Sequence, residues 1–214
     1  MRRIAVMNAK GGCGKTTIAT NLASFYAASG LNTALYDFDA LGSSMRWLHV
    51  RPATHSTIYG IRAHKPFHGS MTRTWAMRLP PDTQRVIIDT PAGLMGLDLA
   101  DRVRASDVIL VPVLPSPIDI DATADFIRAL LMIGAVRQKL VRVAVIANRV
   151  KPNTKSFHRL EQFLETVDLP VIAQLQDSQY YVNAIEKGMG IHEVFSDQDH
   201  NEWAKLTDWL ELKH

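Results

Sequence analysis

One cysteine in 214 residues, Cys13, has no partner for an intramolecular disulfide. Its solitude also excludes CxxC redox pairs and metal sites built from several cysteines. A reducing, cytoplasmic setting is the expectation. Long apolar runs are missing too: no stretch approaches the ~18 consecutive apolar residues of a membrane span. Met1, Arg2 and Arg3 precede a short apolar segment, Ile4–Met7, but Asn8, Lys10 and the glycines interrupt it too early for a secretion signal. There is no internal repeat and no low-complexity linker. Neither sign of charge dominates: Lys and Arg total 24 and Asp and Glu 21, giving a formal net charge of +3 and a pI near 9.1. That balance permits an acidic polymer as partner without requiring one.

What is present reads as one sizeable core. Hydrophobic residues make up 47% and charged residues 21%, enough for a single α/β domain over residues 1–214 and marginal for two. Short β-type runs alternate with helical ones. Strands are expected at Arg3–Met7, Thr33–Tyr36, Arg85–Asp89, Asp107–Val113, Val141–Ala147 and Pro170–Ala173. Helices are expected at Thr16–Ser29, Ile118–Ile133, Ser156–Val167, Tyr181–Lys187 and Asn201–Leu212. The runs at 85–89 and 107–113 are apolar enough to be buried on both faces. Such alternation predicts a doubly wound, mainly parallel sheet flanked by helices. The stretch Val50–Pro81, with Pro66, His68, Arg73 and Trp75 among its residues, has no clear period and is expected to be irregular with at most one short helix. It is either a partner or dimer surface or simple structural filler.

The chemistry concentrates directly after the first strand. Gly11-Gly12-Cys13-Gly14-Lys15-Thr16-Thr17 joins that strand to a helix, the context a phosphate-binding loop requires. Glycines let backbone N–H groups converge on phosphate oxygens, and the helix N-terminus adds a favourable dipole. Lys15 is placed for β- and γ-phosphates and the Thr16 hydroxyl for Mg²⁺. The general G-x-x-x-x-G-K-[ST] pattern is not met, because Ala9 holds the place of its first glycine; the variant K-G-G-x-G-K-T-T is met in full. The alternative is a glycine-rich turn with no ligand. Cys13 is either a small side chain at a variable position or, less simply, a redox group with no second cysteine to resolve it.

Lys10 through Thr17 resembles the variant phosphate loop of the ParA/MinD family of ATPases. Further matches follow in order. Asp37-Phe38-Asp39 with Gly42-Ser43 resembles the first switch, and Val86 through Gly93, with Asp89 ending its strand, the second. Pro112 through Pro117 is similar to the proline-bearing segment, Asn148-Arg149 to the adenine-contacting segment, and Tyr181 to Glu193 to the closing region. The resemblance implies a Mg²⁺-dependent ATPase of the phosphate-loop fold that forms a sandwich homodimer with ATP. It implies that Lys10 reaches the partner's nucleotide, that Asp39 positions the attacking water, that Asp37 supports Mg²⁺ or the switch, and that Asp89 holds Mg²⁺ through water. Each aspartate is also a common strand-end turn residue. The first switch departs from the usual D-x-D-P-Q-G, reading Ala40-Leu41 where Pro-Gln stands.

Within that family, the missing cysteines and terminal tyrosines argue against the iron–sulfur and tyrosine-kinase branches. A first strand beginning near Arg3 argues against an added N-terminal DNA-binding domain. A partition or positioning ATPase, small McdA-like forms included, is the leading expectation. It would be nucleoid-associated, binding non-specific DNA through Arg137, Lys139, Arg142, Lys151, Lys155 and Arg159, with a cargo-adaptor protein stimulating hydrolysis. These same cations also fit a merely solvated face. A MinD-like membrane-associated ATPase and a metabolic ATP-dependent ligase are the alternatives. The tail mixes Glu202, Asp208 and Glu211 with Lys205 and Lys213, which favours a packed last helix over a membrane anchor.

Overall fold

The computed structural model describes residues 1–64, 77–195 and 199–212. Seven strands form one sheet: β1 (Arg2–Val6), β2 (Thr33–Asp37), β3 (Ile58–Arg62), β4 (Arg85–Asp89), β5 (Val108–Val113), β6 (Arg142–Val150) and β7 (Val171–Gln176). Their spatial order is β3-β2-β4-β1-β5-β6-β7, and every neighbouring pair is parallel. Parallel neighbours need crossovers, and helices supply them on both faces.

One face is covered by α1 (Lys15–Ala28), α2 (Ser43–Val50), α7 (Gln179–Glu186), α8 (Ile191–Val194) and α9 (His200–Glu211), whose Ile18, Leu22, Trp47, Tyr181, Leu206 and Leu210 pack on Ile4, Leu35 and Ile146. The other carries α3 (Gly96–Arg104), α4 (Pro117–Leu131), α5 (Gly134–Arg137) and α6 (Lys155–Glu165), with Leu99, Phe126, Leu130 and Leu160 against Val111 and Val145. Strands between two such layers are covered on both faces, so β2 and β5 are buried at every position, and β5 is apolar throughout. The last helix lies on the core through Trp203, Leu206 and Leu210, as its spacing predicts.

The stretch at 50–81 is not simply irregular. It contains β3, which extends the sheet beside β2, and α2 ends at Val50 just ahead of it. An edge strand with two buried positions in five leaves little apolar pattern to read. Pro66, His68, Arg73, Trp75 and Lys213 lie outside the described residues. Helices α2 and α3, and the short α5 and α8, are additions to the elements expected from sequence.

Candidate nucleotide site

The site collects at the C-terminal ends of the central strands, where a doubly wound sheet places its ligands. Val6, Asp89 and Asp37 stand side by side there, in register across β1, β4 and β2. The phosphate loop leaves β1 and enters α1, and Gly14 begins that helix at φ 93°. A Cβ on Gly14 would lie 2.2 Å from the Asn148 amide nitrogen, so the close approach also demands glycine. That nitrogen donates to the Cys13 carbonyl at 2.8 Å, fastening the loop to the end of β6. From the other side the Gly93 N–H donates to the Ala9 carbonyl at 2.8 Å, tying the turn after β4 to the loop.

The two loop lysines occupy different surroundings. Lys15 is buried, and its ammonium donates to the Lys10 carbonyl at 2.7 Å. Lys10 is more open and points its ammonium at Asp119, 3.7 Å away on α4. Cys13 is 1% exposed, and burial pushes its thiol above the ordinary value in spite of the nearby Lys15 charge. Its Sγ–H donates to the Lys10 carbonyl at 3.3 Å. A buried thiol held in its neutral form matches the small-side-chain reading, since the thiolate is the reactive species.

Three carboxylates face the loop with three different environments. Asp37 is fully buried and already bonded: Oδ1 accepts from Asp39 N–H at 3.0 Å and Oδ2 from Met45 N–H at 3.1 Å. It shapes the turn between β2 and α2. Asp39 is partly exposed, with Oδ1 accepting from Leu41 N–H at 2.9 Å. Asp89 is fully buried, and neither oxygen receives a hydrogen bond among the described residues. The hydroxyls of Thr16 and Ser44 stand close enough to favour its charged form without reaching hydrogen-bond geometry. Burial dominates, helped by the charge of Asp37, and pushes the Asp89 carboxyl from the ordinary 3.8 up to about 7. An orphaned buried carboxylate beside a phosphate loop is what a cation would satisfy.

A cleft of about 200 Å³ opens beside the loop between Gly12, Thr17, Asn148, Gln176, Ser178 and Tyr181, which places Asn148 and Arg149 at its wall. Arg149 adopts φ 52° where β6 is irregular, and it pairs with Asp177 at 3.1 Å. Asp177 also holds Lys151 at 2.9 Å, and these bonds pull its carboxyl below the ordinary value. The basic residues grouped in sequence are split in space. Arg137 and Lys139 precede β6 and Arg142 begins it, whereas Lys151 follows its far end; nine residues of strand separate the two groups by about 25–30 Å. Arg142 is committed elsewhere: its guanidinium donates to the Leu212 carbonyl at 3.0 Å and to the Trp209 carbonyl at 2.5 Å and lies 3.8 Å from the Trp209 ring. Lys155 and Arg159 are exposed on α6.

Asp119 and Asp177 are not among the site residues expected from sequence. The signal for Asp119 was present in Ser116-Pro117-Ile118-Asp119, which reads as a helix start with an acid at its third position. Ser116 caps α4 by accepting from Asp119 N–H. Nothing local marks Asp177, whose partners come from another strand.

These features define a nucleotide-binding domain of the phosphate-loop class. Residues 4–191 match the CbiA family, the CobQ/CobB/MinD/ParA nucleotide binding domain, and the chain belongs to that family; it is an ATPase. It is 26% identical over 196 residues to the maintenance of carboxysome distribution protein A of Halothiobacillus neapolitanus, covering 89% of this chain and 87% of that protein. It is 32% identical over 129 residues to the chromosome-partitioning ATPase Soj of Thermus thermophilus, covering 58% and 51%. Among solved structures, apo McdA from Cyanothece superposes with a TM-score of 0.75 over 98% of this chain and 99% of that one, at 16% identity, a likeness of fold.

Proposed function

We propose that this chain is a positioning ATPase in which two copies close face to face when each holds ATP, each Lys10 crossing to the other's nucleotide. The observation that carries the reading is the division between the lysines: Lys15 is buried and bonded within its own loop, while Lys10 is partly exposed with its ammonium 3.7 Å from Asp119 on α4. A partly exposed cation is suited to phosphate approached from outside, so closure and charge neutralisation are coupled. Gly11, Gly12, Gly14, Lys15, Thr16 and Thr17 would cradle the phosphates, with Asn148 and Arg149 at the base. Thr16 and Asp89 fit Mg²⁺ through a hydroxyl and an orphaned carboxylate, and bound Mg²⁺ would supply neutralisation of charge on the phosphates. Asp37 holds the turn from which Asp39 would orient the attacking water.

The relatives named for carboxysome distribution and chromosome partitioning support a cargo-moving role. The dimer would bind non-specific DNA through Lys151, Lys155 and Arg159, and doubling a weak patch raises affinity through effective concentration. A cargo-bound partner protein would stimulate hydrolysis and release the copies from DNA. The packing of α9 on the core supports this reading over a membrane-anchored one; among the described residues no helix is long and apolar enough to cross a membrane.

The test is sedimentation and DNA co-sedimentation with ATP against ADP, for the wild type, Lys10→Ala and Lys15→Ala. ATP alone should produce dimer and salt-sensitive DNA binding in the wild type. Equal DNA binding with both nucleotides, or ATP-dependent dimers of Lys15→Ala that still bind DNA, would sink the reading.

A further inference from the structure

We propose that Asp119 is the resting-state counter-ion of Lys10, a positioning residue that holds this lysine until phosphate takes it over; the inference rests on the role given to Lys10 above. Lys10 is held at three points. Its N–H donates to Asn8 Oδ1 at 3.1 Å, its carbonyl accepts from the Lys15 ammonium at 2.7 Å, and its own ammonium lies 3.7 Å from Asp119 Oδ1.

Asp119 is the fixed partner. It is 9% exposed, sits in the first turn of α4 behind the Ser116 cap, and its Oδ2 accepts the Ser116 hydroxyl. Asn8 braces the same region by donating to the Pro112 carbonyl at 2.8 Å and to Thr123 Oγ1 at 2.9 Å. Asp119 Oδ1 is wholly buried and receives no hydrogen bond among the described residues. A buried carboxylate oxygen in that position requires a compensating charge, and the Lys10 ammonium provides it.

The two lysines are therefore coupled. Phosphate that draws Lys15 forward removes its bond to the Lys10 carbonyl, which then keeps only the weaker Cys13 Sγ–H donor at 3.3 Å. Parking also lowers the fraction of chains with Lys10 ready to cross, so the ATP concentration needed for closure rises in inverse proportion to that fraction.

The test uses the full chain without nucleotide. Amine labelling followed by mass spectrometry reads the Lys10 rate against Lys205, which pairs with Glu202 on α9 and serves as internal standard. Asp119→Asn keeps the side-chain shape and removes the charge; Asp119→Ser is the second variant if the first does not fold. Either should raise Lys10 labelling several-fold with Lys205 unchanged. The ATP concentration for half-maximal dimerisation should then fall by about two- to fivefold, the size expected for freeing a part-exposed ion pair. Unchanged Lys10 labelling overturns the proposal, and so does a dimerisation midpoint that rises. Faster labelling without ATP dimers in any variant, wild type included, upholds the counter-ion and refutes the sandwich dimer instead.

Discussion

Asp89 makes a prediction about the chain by itself, before any ligand. Its carboxyl is pushed up to about 7 in the fold from an ordinary 3.8, chiefly by burial and then by the neighbouring Asp37 charge. The folded state therefore binds a proton more tightly than the unfolded state. Stability associated with that proton is fully present below about pH 4 and is lost progressively as pH rises through about 7. The full gap corresponds to about 4 kcal/mol. Between pH 5 and pH 8 the loss comes to about 2–3 kcal/mol, since part has already gone by pH 5.

Asp89→Asn removes this titration and keeps the side chain's size. Urea unfolding of the metal- and nucleotide-free chain, with chelator present, should show the variant gaining on the wild type by about 2–3 kcal/mol from pH 5 to pH 8. The same variant should lose Mg²⁺-dependent tightening of nucleotide binding. The orphaned carboxylate thus trades resting stability for a cation site. Parallel pH profiles of wild type and Asp89→Asn would refute the argument, because no other titrating group differs between them.

Three further outcomes test the surroundings of the site. Gly14→Ala combines a φ of 93° with a Cβ 2.2 Å from the Asn148 amide, so thermal melts should show a loss of about 2–3 kcal/mol and fluorescent-nucleotide titration a roughly tenfold weaker affinity. Arg51 pairs bidentately with Glu193 with both side chains nearly buried, joining the end of α2 to α8; Arg51→Ala should cost about 3–5 kcal/mol in denaturant unfolding, and a cost under about 1 kcal/mol would show that water reaches Glu193. Leu206 is fully buried on the core-facing side of α9, so Leu206→Ala should cost about 2–5 kcal/mol, while the wild type should show no ATP-dependent co-sedimentation with liposomes.

Legibility in the sequence followed how local each determinant is. The loop from Lys10 to Thr17 and the runs of β4 and β5 could be read because glycine spacing and continuous burial act within a few residues. Strand β3 could not: Tyr59, Gly60 and Arg62 are exposed at the sheet edge, which leaves only Ile58 and Ile61 as an apolar signal. Helix α3 buries only Leu99 and Val103 among charged neighbours, a single i, i+4 pair with little pattern. The grouping of Arg142 with Lys151 failed because adjacency along a strand is distance in space. The pairing of Lys10 with Asp119 spans 109 positions and depends on β1 and β5 being neighbours in the sheet, which no local signal states.

The altered first switch can be weighed in the same terms. Where the family pattern has Pro-Gln, this chain has Ala40-Leu41, yet the turn closes without them. Asp37 accepts from Asp39 N–H and Met45 N–H, Asp39 Oδ1 from Leu41 N–H, and the Asp39 carbonyl from Gly42 N–H at 2.9 Å. Side-chain carboxylates bonding to backbone two residues on define such turns whatever occupies the intervening positions. These bonds hold the backbone path and the place of Asp39 without using the Ala40 or Leu41 side chains. The effect of the substitution falls on the exposed side: Leu41 is 70% exposed and offers an apolar surface where an amide would have offered hydrogen bonds. A side chain exposed in this way acts on what meets the turn from outside rather than on the loop from Gly11 to Thr17.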